Sequence, residues 1–436
     1  MRQRIAIVGS GIAGLGAAWA LQDTHDITVY EADDRIGGHS NTVDVMTRSG
    51  VTSVDTGFIV YNEVTYPNLT RLFATLGVRT EPSDMSFSLS VDGRREYGAN
   101  LKGVLARPSN LARPRFLRML QDINRFRKEG LDLEPLDGET LGQFLERHRF
   151  SEGFRDDYLY PMTGAIWSTG HEEMSRYPAR SILRFLANHG LIEIVGRPAW
   201  RTVAGGSRNY VKLLTAGFAD RIQVRSPVTN IARSEDGVIV STPRGHTPFD
   251  QVIIATHSDQ ALRLLGPGAT GQERRLLSAI PYQENVAVLH SDTRLMPTRK
   301  WVWSSWNAMA SSDLEDRPVA SVTYWMNRLQ NLDTNVPFFV SLNPLFEPRP
   351  SLVHASFSYA HPRFGVDSVR AQKEIASIQG MNRTWFAGAY LGYGFHEDGL
   401  QSGLNVAAGL GAPAPWQGTF APVSSAPAVA TRGVSL

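Results

Sequence analysis

The chain contains 436 residues, of which 42% are hydrophobic, and it has a formal net charge of +2 and no cysteine. This length predicts two domains or one elaborated domain. The small net charge argues against nucleic-acid binding, because no global field would collect phosphates. The absence of cysteine excludes disulfides and thiolate ligands, and we predict no metal site. Outside the N-terminal segment, no run of about 18 consecutive apolar residues occurs, so we predict no membrane-spanning helix. We expect a cytoplasmic protein, in solution or peripheral at the inner membrane.

The N-terminal segment has the strand, glycine turn and helix order of a dinucleotide site. Gly9 permits the tight turn, Gly11 lets the backbone approach a pyrophosphate, and Gly14 allows the helix to pack closely on the strand. The free N–H groups at the start of the helix, at Ile12 and Ala13, would face the anion. The segment also imitates a secretory signal, but its removal would remove the glycine turn, so we reject that interpretation.

A second apolar strand ends at Glu31, about 20 residues further on, where a carboxylate can accept hydrogen bonds from a ribose diol. The glutamate is followed by three residues, Arg35, one residue and a glycine pair. This spacing resembles the extended fingerprint of the flavin amine oxidase and phytoene desaturase superfamily. The resemblance implies FAD as the cofactor, with Arg35 neutralising the pyrophosphate. It assigns four further residues to the cofactor: Ala32, Gly37, Gly38 and His39. His39 is also a candidate for a covalent flavin link.

Later segments extend the resemblance. The turn that contains Thr56 and Gly57 resembles a return to the flavin, although Asp and Gly also favour ordinary turns. By resemblance, the backbone of Val228 would pair with the adenine. The apolar strand that ends at Ala255 and Thr256 would lie beneath the FAD or be a plain buried strand, and in either case belongs to a parallel sheet.

The C-terminal motif resembles the last FAD-binding element of the same superfamily. A strand meets Gly388, and a glycine-rich loop opens a final helix near Gly399 and Leu400. The acidic residue expected after Gly388 is replaced by Ala389, which removes a usual contact to the cofactor. The start of the helix would direct its N–H groups at the flavin.

The resemblance implies an α/β fold in which an amine oxidase-like, discontinuous Rossmann-like FAD-binding domain carries an inserted α+β substrate domain. We assign residues 1–65, 200–260 and 366–410 to the first domain and residues 66–199 and 261–365 to the second. The tail, residues 411–436, is rich in Ala, Pro, Ser and Gly, which predicts disorder.

Two segments of the predicted substrate domain suggest the nature of the substrate. Trp301, Trp303, Trp306 and Trp325 either line an apolar tunnel suited to a hydrophobic substrate or fill a core. Residues 107–129 carry a local charge of +5 beside an apolar helical stripe. They predict either contact with an anionic membrane or a solvated helix that packs on the core.

Because a flavin carries out the redox chemistry, few side chains need to take part. His396 is the first candidate for proton transfer or substrate orientation, with hydrogen bonding to the loop backbone as the alternative. Tyr393, Tyr61 and Asn62 are weaker candidates, and Lys300 matches poorly the lysine that some amine oxidases place near the flavin. Glu397 and Asp398 are expected to cap the final helix.

Residues 55–62 and 392–403 most resemble bacterial FAD-dependent oxidoreductases associated with cyclopropane fatty acid synthase-like methyltransferases. This resemblance implies oxidation, desaturation or isomerisation of a fatty-acyl chain in a membrane lipid, with a lipid methyltransferase as partner. Two alternatives stay open: an amine oxidase that produces hydrogen peroxide, and a flavin-bound accessory subunit that does not turn over substrate.

Overall fold

The structure, a computed structural model, describes residues 2–417 except residues 49, 92, 94, 99–109, 111, 131, 168, 189–197 and 311–320. Within the described residues the strands are β1 (Arg4–Val8), β2 (Asp26–Tyr30), β3 (Thr42–Thr47), β4 (Gly50–Asp55), β5 (Val60–Asn62), β6 (Thr80–Ser83), β7 (Phe87–Val91), β8 (Arg95–Gly98), β9 (Trp200–Val203), β10 (Ile222–Gln223), β11 (Asn230–Arg233), β12 (Val238–Thr242), β13 (Gly245–Phe249), β14 (Gln251–Ile254), β15 (Tyr282–His290), β16 (Trp306–Ala310), β17 (Ser321–Trp325), β18 (Phe339–Leu342), β19 (Val353–Pro362) and β20 (Thr384–Phe386).

The α-helices in the same part of the chain are α1 (Ile12–Leu21), α2 (Pro67–Leu76), α3 (Pro114–Glu129), α4 (Leu141–Arg147), α5 (Glu152–Phe154), α6 (Tyr160–Trp167), α7 (His171–Ser175), α8 (Ala179–Asn188), α9 (Arg208–Thr215), α10 (Ser258–Leu265), α11 (Gly271–Ser278), α12 (Met326–Leu329), α13 (Val366–Glu374) and α14 (His396–Gly409). A π-helical turn, Arg155–Leu159, joins α5 to α6. None of the described helices is long and apolar enough to cross a membrane.

A five-stranded parallel sheet in the order β10-β2-β1-β14-β20 forms the centre of the first unit. Both faces of β1 are buried, as is typical of parallel strands covered by helices. Ile5 and Ile7 pack on the side of α1 and α14, whereas Ala6 and Val8 pack on the side of α10 and α11. Because the strands are parallel, their carboxyl ends lie at the same edge of the sheet, where ligands bind in such folds.

A seven-stranded sheet in the order β19-β15-β18-β17-β16-β7-β8 forms the centre of the second unit. Its neighbouring strands are antiparallel except for the parallel pair of β16 and β7. The strands come from two parts of the chain, 87–98 and 282–362. Helices between the two parts pack around an aromatic core that includes Phe144, Phe154, Trp167 and Phe185.

Two predicted boundaries differ from the structure. Residues 261–280, assigned from the sequence to the substrate domain, form most of α10 and α11, and Leu265 and Leu276 pack with the parallel sheet. Residues 411–417, predicted to be disordered, are packed on the protein: Ala412 is buried, and Trp416 stacks on Trp19 with ring centroids 5.7 Å apart. These apolar contacts outweigh the turn-forming composition of this short segment. The remaining tail, residues 418–436, lies outside the described residues.

Candidate active site

One continuous cavity of about 740 Å³ lies between the parallel sheet and the seven-stranded sheet. Its cofactor end is lined by loops of the parallel-sheet unit, including Gly9, Gly11, Ile12, Ala13, Glu31, Ala32, Arg35, Gly38, His39, Thr56, Gly57, Val228, Ala255, Thr256, Gly388, Ala389 and Gly399. The other end, which we call the apolar chamber, is lined by Ile59, Val60, Tyr66, Met85, Ile166, Trp167, Phe185, Trp200, Trp306, Tyr324, Leu342 and Phe364. A volume of this size is typical of small-molecule and cofactor sites.

The glycine turn after β1 fits a dinucleotide. Gly9 has a φ of 105°, and a Cβ at this position would lie 2.8 Å from the carbonyl oxygen of Ala255. A Cβ on Gly14 would lie 2.0 Å from the carbonyl oxygen of Gly9, so only glycine allows α1 to pack this closely on the turn. Gly11 is different, because no described protein atom lies within 4 Å of its Cβ position, although the residue lines the cavity. The open side of Gly11 therefore leaves room for a ligand, beside the first N–H groups of α1, which have no acceptor within the helix.

Glu31 is fixed at the edge of this turn. One carboxylate oxygen accepts hydrogen bonds from the backbone N of Ser10 at 3.0 Å and from the Ser10 hydroxyl. The other oxygen accepts from the backbone N of Asp33 at 2.9 Å. A carboxylate has about four lone-pair sites, so Glu31 retains acceptor capacity for a ribose diol.

The predicted arginine and glycine pair lie close to the first glycine turn. Arg35 donates a hydrogen bond from Nη1 to the carbonyl of Gly38 at 2.7 Å. A Cβ on Gly38 would lie 3.1 Å from the Cα of Gly11, so the two turns are in close approach. Gly37, with a φ of 107°, makes the bend but does not line the cavity. The guanidinium of Arg35 is thus available to an anion at this end.

The segment around Thr56 has two roles that the sequence could not separate. Thr56 and Gly57 line the cavity, whereas Asp55 is buried behind it. The Asp55 carboxylate accepts hydrogen bonds from the backbone N of Ser207 at 2.9 Å and from Gln330 Nε2 at 2.9 Å. Burial raises the pKa of Asp55 to about 6, against the opposing effect of its hydrogen bonds. Asp55 therefore ties the start of α9 and the loop after α12 to the cavity wall.

Most of the predicted C-terminal cofactor residues also lie at the cavity. Gly388, Ala389 and Gly399 line it, and the backbone N of Gly388 donates to the hydroxyl of Ser402 at 2.8 Å. Leu400 is fully buried and does not line the cavity. Its side chain occupies the space beside Gly16 of α1 and so contributes to packing instead.

The candidate catalytic residues are dispersed. His396 lines the cavity but hydrogen-bonds to side chains, with its Nε2 2.6 Å from the hydroxyl of Tyr210 and 3.2 Å from that of Ser40. Burial lowers the pKa of His396 to about 3, so the imidazole is neutral near pH 7. Tyr393 lines the cavity, whereas Tyr61 is buried in the core of the first unit and does not.

The other polar candidates have structural contacts. Asn62 accepts a hydrogen bond from the backbone N of Thr65 at 2.9 Å. Lys300 is exposed beside Trp303 and is absent from the cavity wall. Asp398 caps α14 as predicted, accepting from the backbone N of Phe395 at 2.9 Å.

Glu397 caps a different helix from the predicted one. It accepts hydrogen bonds from the backbone N of Asn68 at 2.9 Å and of Leu69 at 3.0 Å, at the start of α2. Sequence separation of more than 300 residues hides such a cap from a local pattern.

Of the four tryptophans proposed for a tunnel, Trp306 lines the chamber, together with Tyr324. The other three do not. Trp301 is 61% exposed. The alternation of Trp301 and Trp303 is typical of a strand, but residues 300–302 form a 3₁₀ turn. Trp303 and Trp325 pack against each other outside the cavity, with ring centroids 5.5 Å apart.

Much of the chamber wall comes from residues that the sequence did not single out. Trp167 and Phe185 lie on α6 and α8, with ring centroids 4.6 Å apart, and Trp200 begins β9. Aromatic residues on helices are more often core residues, so only their shared position in space could identify them. The sequence also did not single out His257 and His361, which lie on the cavity wall together with the predicted His39.

The basic segment is only partly described, because residues 107–109 and 111 lie outside the described residues. Arg115 of α3 forms ion pairs with Asp157 at 2.7 Å and with Glu152 at 3.2 Å. Arg113 and Arg118 are exposed, while Phe126 packs into the aromatic helical core. Part of the local positive charge is therefore neutralised by neighbouring helices.

Residues 12–331 match the family model described as flavin containing amine oxidoreductase. The putative flavin-containing monoamine oxidase AofH of Mycobacterium tuberculosis is 26% identical over 273 residues, which is 58% of this chain and 56% of that protein. The L-amino-acid oxidase of Siganus canaliculatus is 24% identical over 344 residues, 73% of this chain and 61% of that protein. The matches thus span less than two thirds of the length of these curated relatives.

Solved structures share the fold at low sequence identity. A CLA-producing fatty acid isomerase from P. acnes has a TM-score of 0.65 at 16% identity, covering 93% of this chain and 98% of that one. Cyclohexylamine oxidase from Brevibacterium oxydans IH-35A has a TM-score of 0.65 at 17% identity, covering 94% and 99%. The predicted Rossmann-like, amine oxidase-like fold is confirmed. The family model matches more than half of the length of this chain. The chain therefore belongs to the flavin-containing amine oxidoreductases, a family of FAD-dependent oxidoreductases.

Proposed function

We propose that this oxidoreductase acts on a hydrophobic substrate and that it oxidises, desaturates or isomerises a fatty-acyl chain of a membrane lipid. The observation that carries the proposal is the charge distribution in the cavity. Among the described lining residues, the carboxylate and cationic side chains are Glu31, Asp33, Arg35 and Arg263. All four belong to the cofactor end, and the apolar chamber contains none.

This distribution favours an acyl chain over an amino acid. An amino-acid carboxylate buried in the chamber would need a cationic or hydrogen-bonding partner to offset its desolvation, and the described chamber wall offers no cation. A hydrocarbon chain needs only apolar surface, and each buried CH₂ group contributes about 0.8 kcal/mol. Trp167, Trp200, Trp306 and Phe185 supply such surface.

The residues of the chain bind, orient and exclude water. Gly11, Glu31 and Arg35 would hold the dinucleotide, and the aromatic chamber would position the substrate carbon and keep water out. When bound, the flavin supplies the hydride acceptor. The neutral, hydrogen-bonded His396 supports the wall of the site, with its ring stacked on Phe58 at a centroid distance of 3.8 Å.

An amine oxidase that produces hydrogen peroxide is the second candidate. The family match and the relative named as a monoamine oxidase favour it. The aromatic chamber can accept a neutral amine, whereas a charged ammonium would lose its hydration there with no described carboxylate to replace it.

The cellular setting belongs to the same proposal. A lipid substrate would place the protein at a membrane surface, with the exposed Arg118 of α3 and Arg113, which precedes α3, near anionic lipid. A lipid methyltransferase as partner, and a non-catalytic role beside it, rest on the sequence resemblance alone. Cofractionation with vesicles of anionic lipid, compared between the protein and an Arg113→Glu/Arg118→Glu variant, tests the membrane part.

A chain-length series tests the substrate class. Straight-chain fatty-acyl ligands of increasing length should perturb the spectrum of the bound flavin with Kd values that fall about fourfold per methylene until the chamber is full. Alkylamines of the same lengths are the matched series. Kd values that do not depend on chain length would contradict an acyl-binding chamber.

A further inference from the structure

Three histidines from separate elements line the same cavity. His39 follows the glycine pair, His257 precedes α10, and His361 lies on β19. The ring centroids of His39 and His361 are 5.4 Å apart, and Tyr359 stacks on His39 at 4.9 Å. The ring of His257 stacks on Tyr282 at 4.2 Å. We call His39, His257 and His361 the histidine cluster.

His39 has an unsatisfied polar atom. Its Nε2 is buried and has no hydrogen-bond partner among the described residues. An unpaired buried polar group is destabilising, and native proteins seldom retain one without a ligand, ion or water to satisfy it. Because His39 lines the cavity, a ligand that enters this cavity can bring a polar atom to its ring.

The surroundings of His39 oppose a positive charge on its ring. Burial lowers the pKa of His39 well below its ordinary value of 6.5, and His361, His257, His396 and Arg35 lower it further. All of these neighbours are cationic or can become so, and none is a carboxylate. The environment of His39 is therefore complementary to an anion.

The other two histidines are similar. Burial, with a smaller contribution from His257, lowers the pKa of His361 to about 4. Burial also lowers the pKa of His257, while Asp259 raises it and Arg263 lowers it. Asp259 is itself paired with Arg263 at 2.7 Å, so its negative charge is offset. The whole cluster is held neutral while no anion is present.

We propose that the histidine cluster is a proton-accepting anion subsite, which takes up a proton from solvent when a phosphate or carboxylate oxygen of a ligand reaches His39. The anion supplies the acceptor for an imidazole N–H and reverses the local charge, so the protonated ring becomes favourable. The proton of this N–H leaves a water or buffer acid in solvent, and no covalent bond of the ligand is made or broken. The anionic oxygen comes either from the pyrophosphate of FAD or from the head group of an acidic lipid substrate.

Calorimetric titration in two buffers of different ionisation enthalpy tests the proposal, because the dependence of the heat on the buffer gives the number of protons taken up. In the first arm FAD is titrated into apoprotein. In the second arm a fatty-acid carboxylate is titrated into holoprotein, with its uncharged methyl ester as control. We expect uptake of about half to one proton per site near pH 7 in one of the two arms, and none with the ester.

Variants separate the cluster from other protonation sites. Uptake should fall to near zero in a His39→Gln/His361→Gln variant and stay unchanged in His246→Gln, which alters an exposed histidine on β13 bonded to Ser241. No uptake by the unmodified protein in either arm, or uptake that persists in the double variant, would overturn the proposal. The measurement on the unmodified protein needs no variant, so absence of uptake there would overturn the proposal even if the double variant does not fold.

The two arms also distinguish this proposal from the proposed function. Uptake with FAD depends only on cofactor binding. The fatty-acid arm rests on the proposed function. Binding of both the fatty acid and its methyl ester without proton uptake, together with uptake in the FAD arm, would support the acyl chamber and assign the subsite to FAD.

Discussion

The imidazole of His396 lies flat on the ring of Phe58, with centroids 3.8 Å apart and planes 9° apart. The same imidazole is hydrogen-bonded to the hydroxyl of Tyr210 at 2.6 Å. Burial in this position lowers its pKa to about 3. A histidine held in this way stays neutral near pH 7, which suits a residue that positions the cavity wall and not one that exchanges protons.

The pH dependence of flavin reduction tests this view of His396. The ordinary pKa of histidine is about 6.5, and we expect no ionisation near that value to belong to this residue. His396→Gln should reduce the rate while leaving the shape of the pH profile unchanged. An ionisation between about pH 6 and 7 that is present in the unmodified protein and lost in the variant would contradict this account.

Gly11→Ala should weaken FAD binding without unfolding the protein. No described protein atom lies within 4 Å of the Cβ position of Gly11 or of Gly271, but only Gly11 lines the cavity. We expect the Kd for FAD to rise at least tenfold, which corresponds to about 1.4 kcal/mol, in Gly11→Ala and to stay unchanged in Gly271→Ala. Fluorescence titration of the apoproteins measures both. Equal affinities in the two variants would show that the turn is not a ligand contact.

Asp398 makes stability depend on pH. Burial raises its pKa from 3.8 to about 7, and Glu397 contributes in the same direction, against the hydrogen bond from the Phe395 backbone. A raised pKa means that the folded state holds the proton more tightly than the unfolded state. The contribution is fully present below about pH 4 and is lost as the pH rises through about 7.

Asp398→Asn removes this pH dependence and keeps an oxygen that accepts from the Phe395 backbone. Between pH 5 and pH 8, we expect the unfolding free energy of the unmodified protein to fall further than that of the variant, by about 2 kcal/mol. Urea denaturation at each pH measures both. Identical slopes of stability against pH in the two proteins would exclude Asp398 as the source.

Trp306 and Trp301 form a matched pair of substitutions, because one lines the chamber and the other is 61% exposed. Trp306→Ala should weaken binding of a long acyl ligand by about 2 kcal/mol, through lost apolar contact, whereas Trp301→Ala should leave it unchanged. Perturbation of the flavin spectrum gives both Kd values. A larger loss in Trp301→Ala would move the substrate site away from the chamber.

Asp55→Ala tests the link between the cavity wall and α9. It leaves the backbone N of Ser207 and the amide of Gln330 without their acceptor. We expect a loss of about 3 kcal/mol in unfolding free energy and a lower flavin content, because Thr56 and Gly57 adjoin the cavity. Full flavin content together with unchanged stability would contradict this role.

The cofactor half of the site could be predicted from the sequence because its signals are local. The glycines of the turn, the acidic end of β2 and Arg35 lie within 27 residues of one another, and each has a steric or charge requirement that a short pattern shows. The local pattern predicts Leu400 at the cofactor, since it follows Gly399 at the start of the final helix. The structure shows that its side chain packs beside Gly16 and does not reach the cavity.

The chamber could not be predicted in the same way, because its walls come from distant segments. Trp301 and Trp303 alternate as in a strand, but the chain forms a 3₁₀ turn there. Trp167 and Phe185 lie on different helices and line the chamber together only after folding. In the same way, His257 and His361 join the predicted His39 on the cavity wall only after folding. Long-range packing, which sequence periodicity does not encode, decides these positions.

The most direct test of the central claim is the absorbance of the bound flavin under anaerobic conditions, after mixing with phospholipids that carry unsaturated or methyl-branched acyl chains and, separately, with a panel of amines. The account predicts that acyl lipids, and not amines, bleach the oxidised flavin bands. The bleaching is lasting if the lipid is oxidised or desaturated, and transient if it is isomerised, because isomerisation returns the hydride to the lipid. Bleaching by amines alone would contradict the proposed substrate and identify the protein as an amine oxidase.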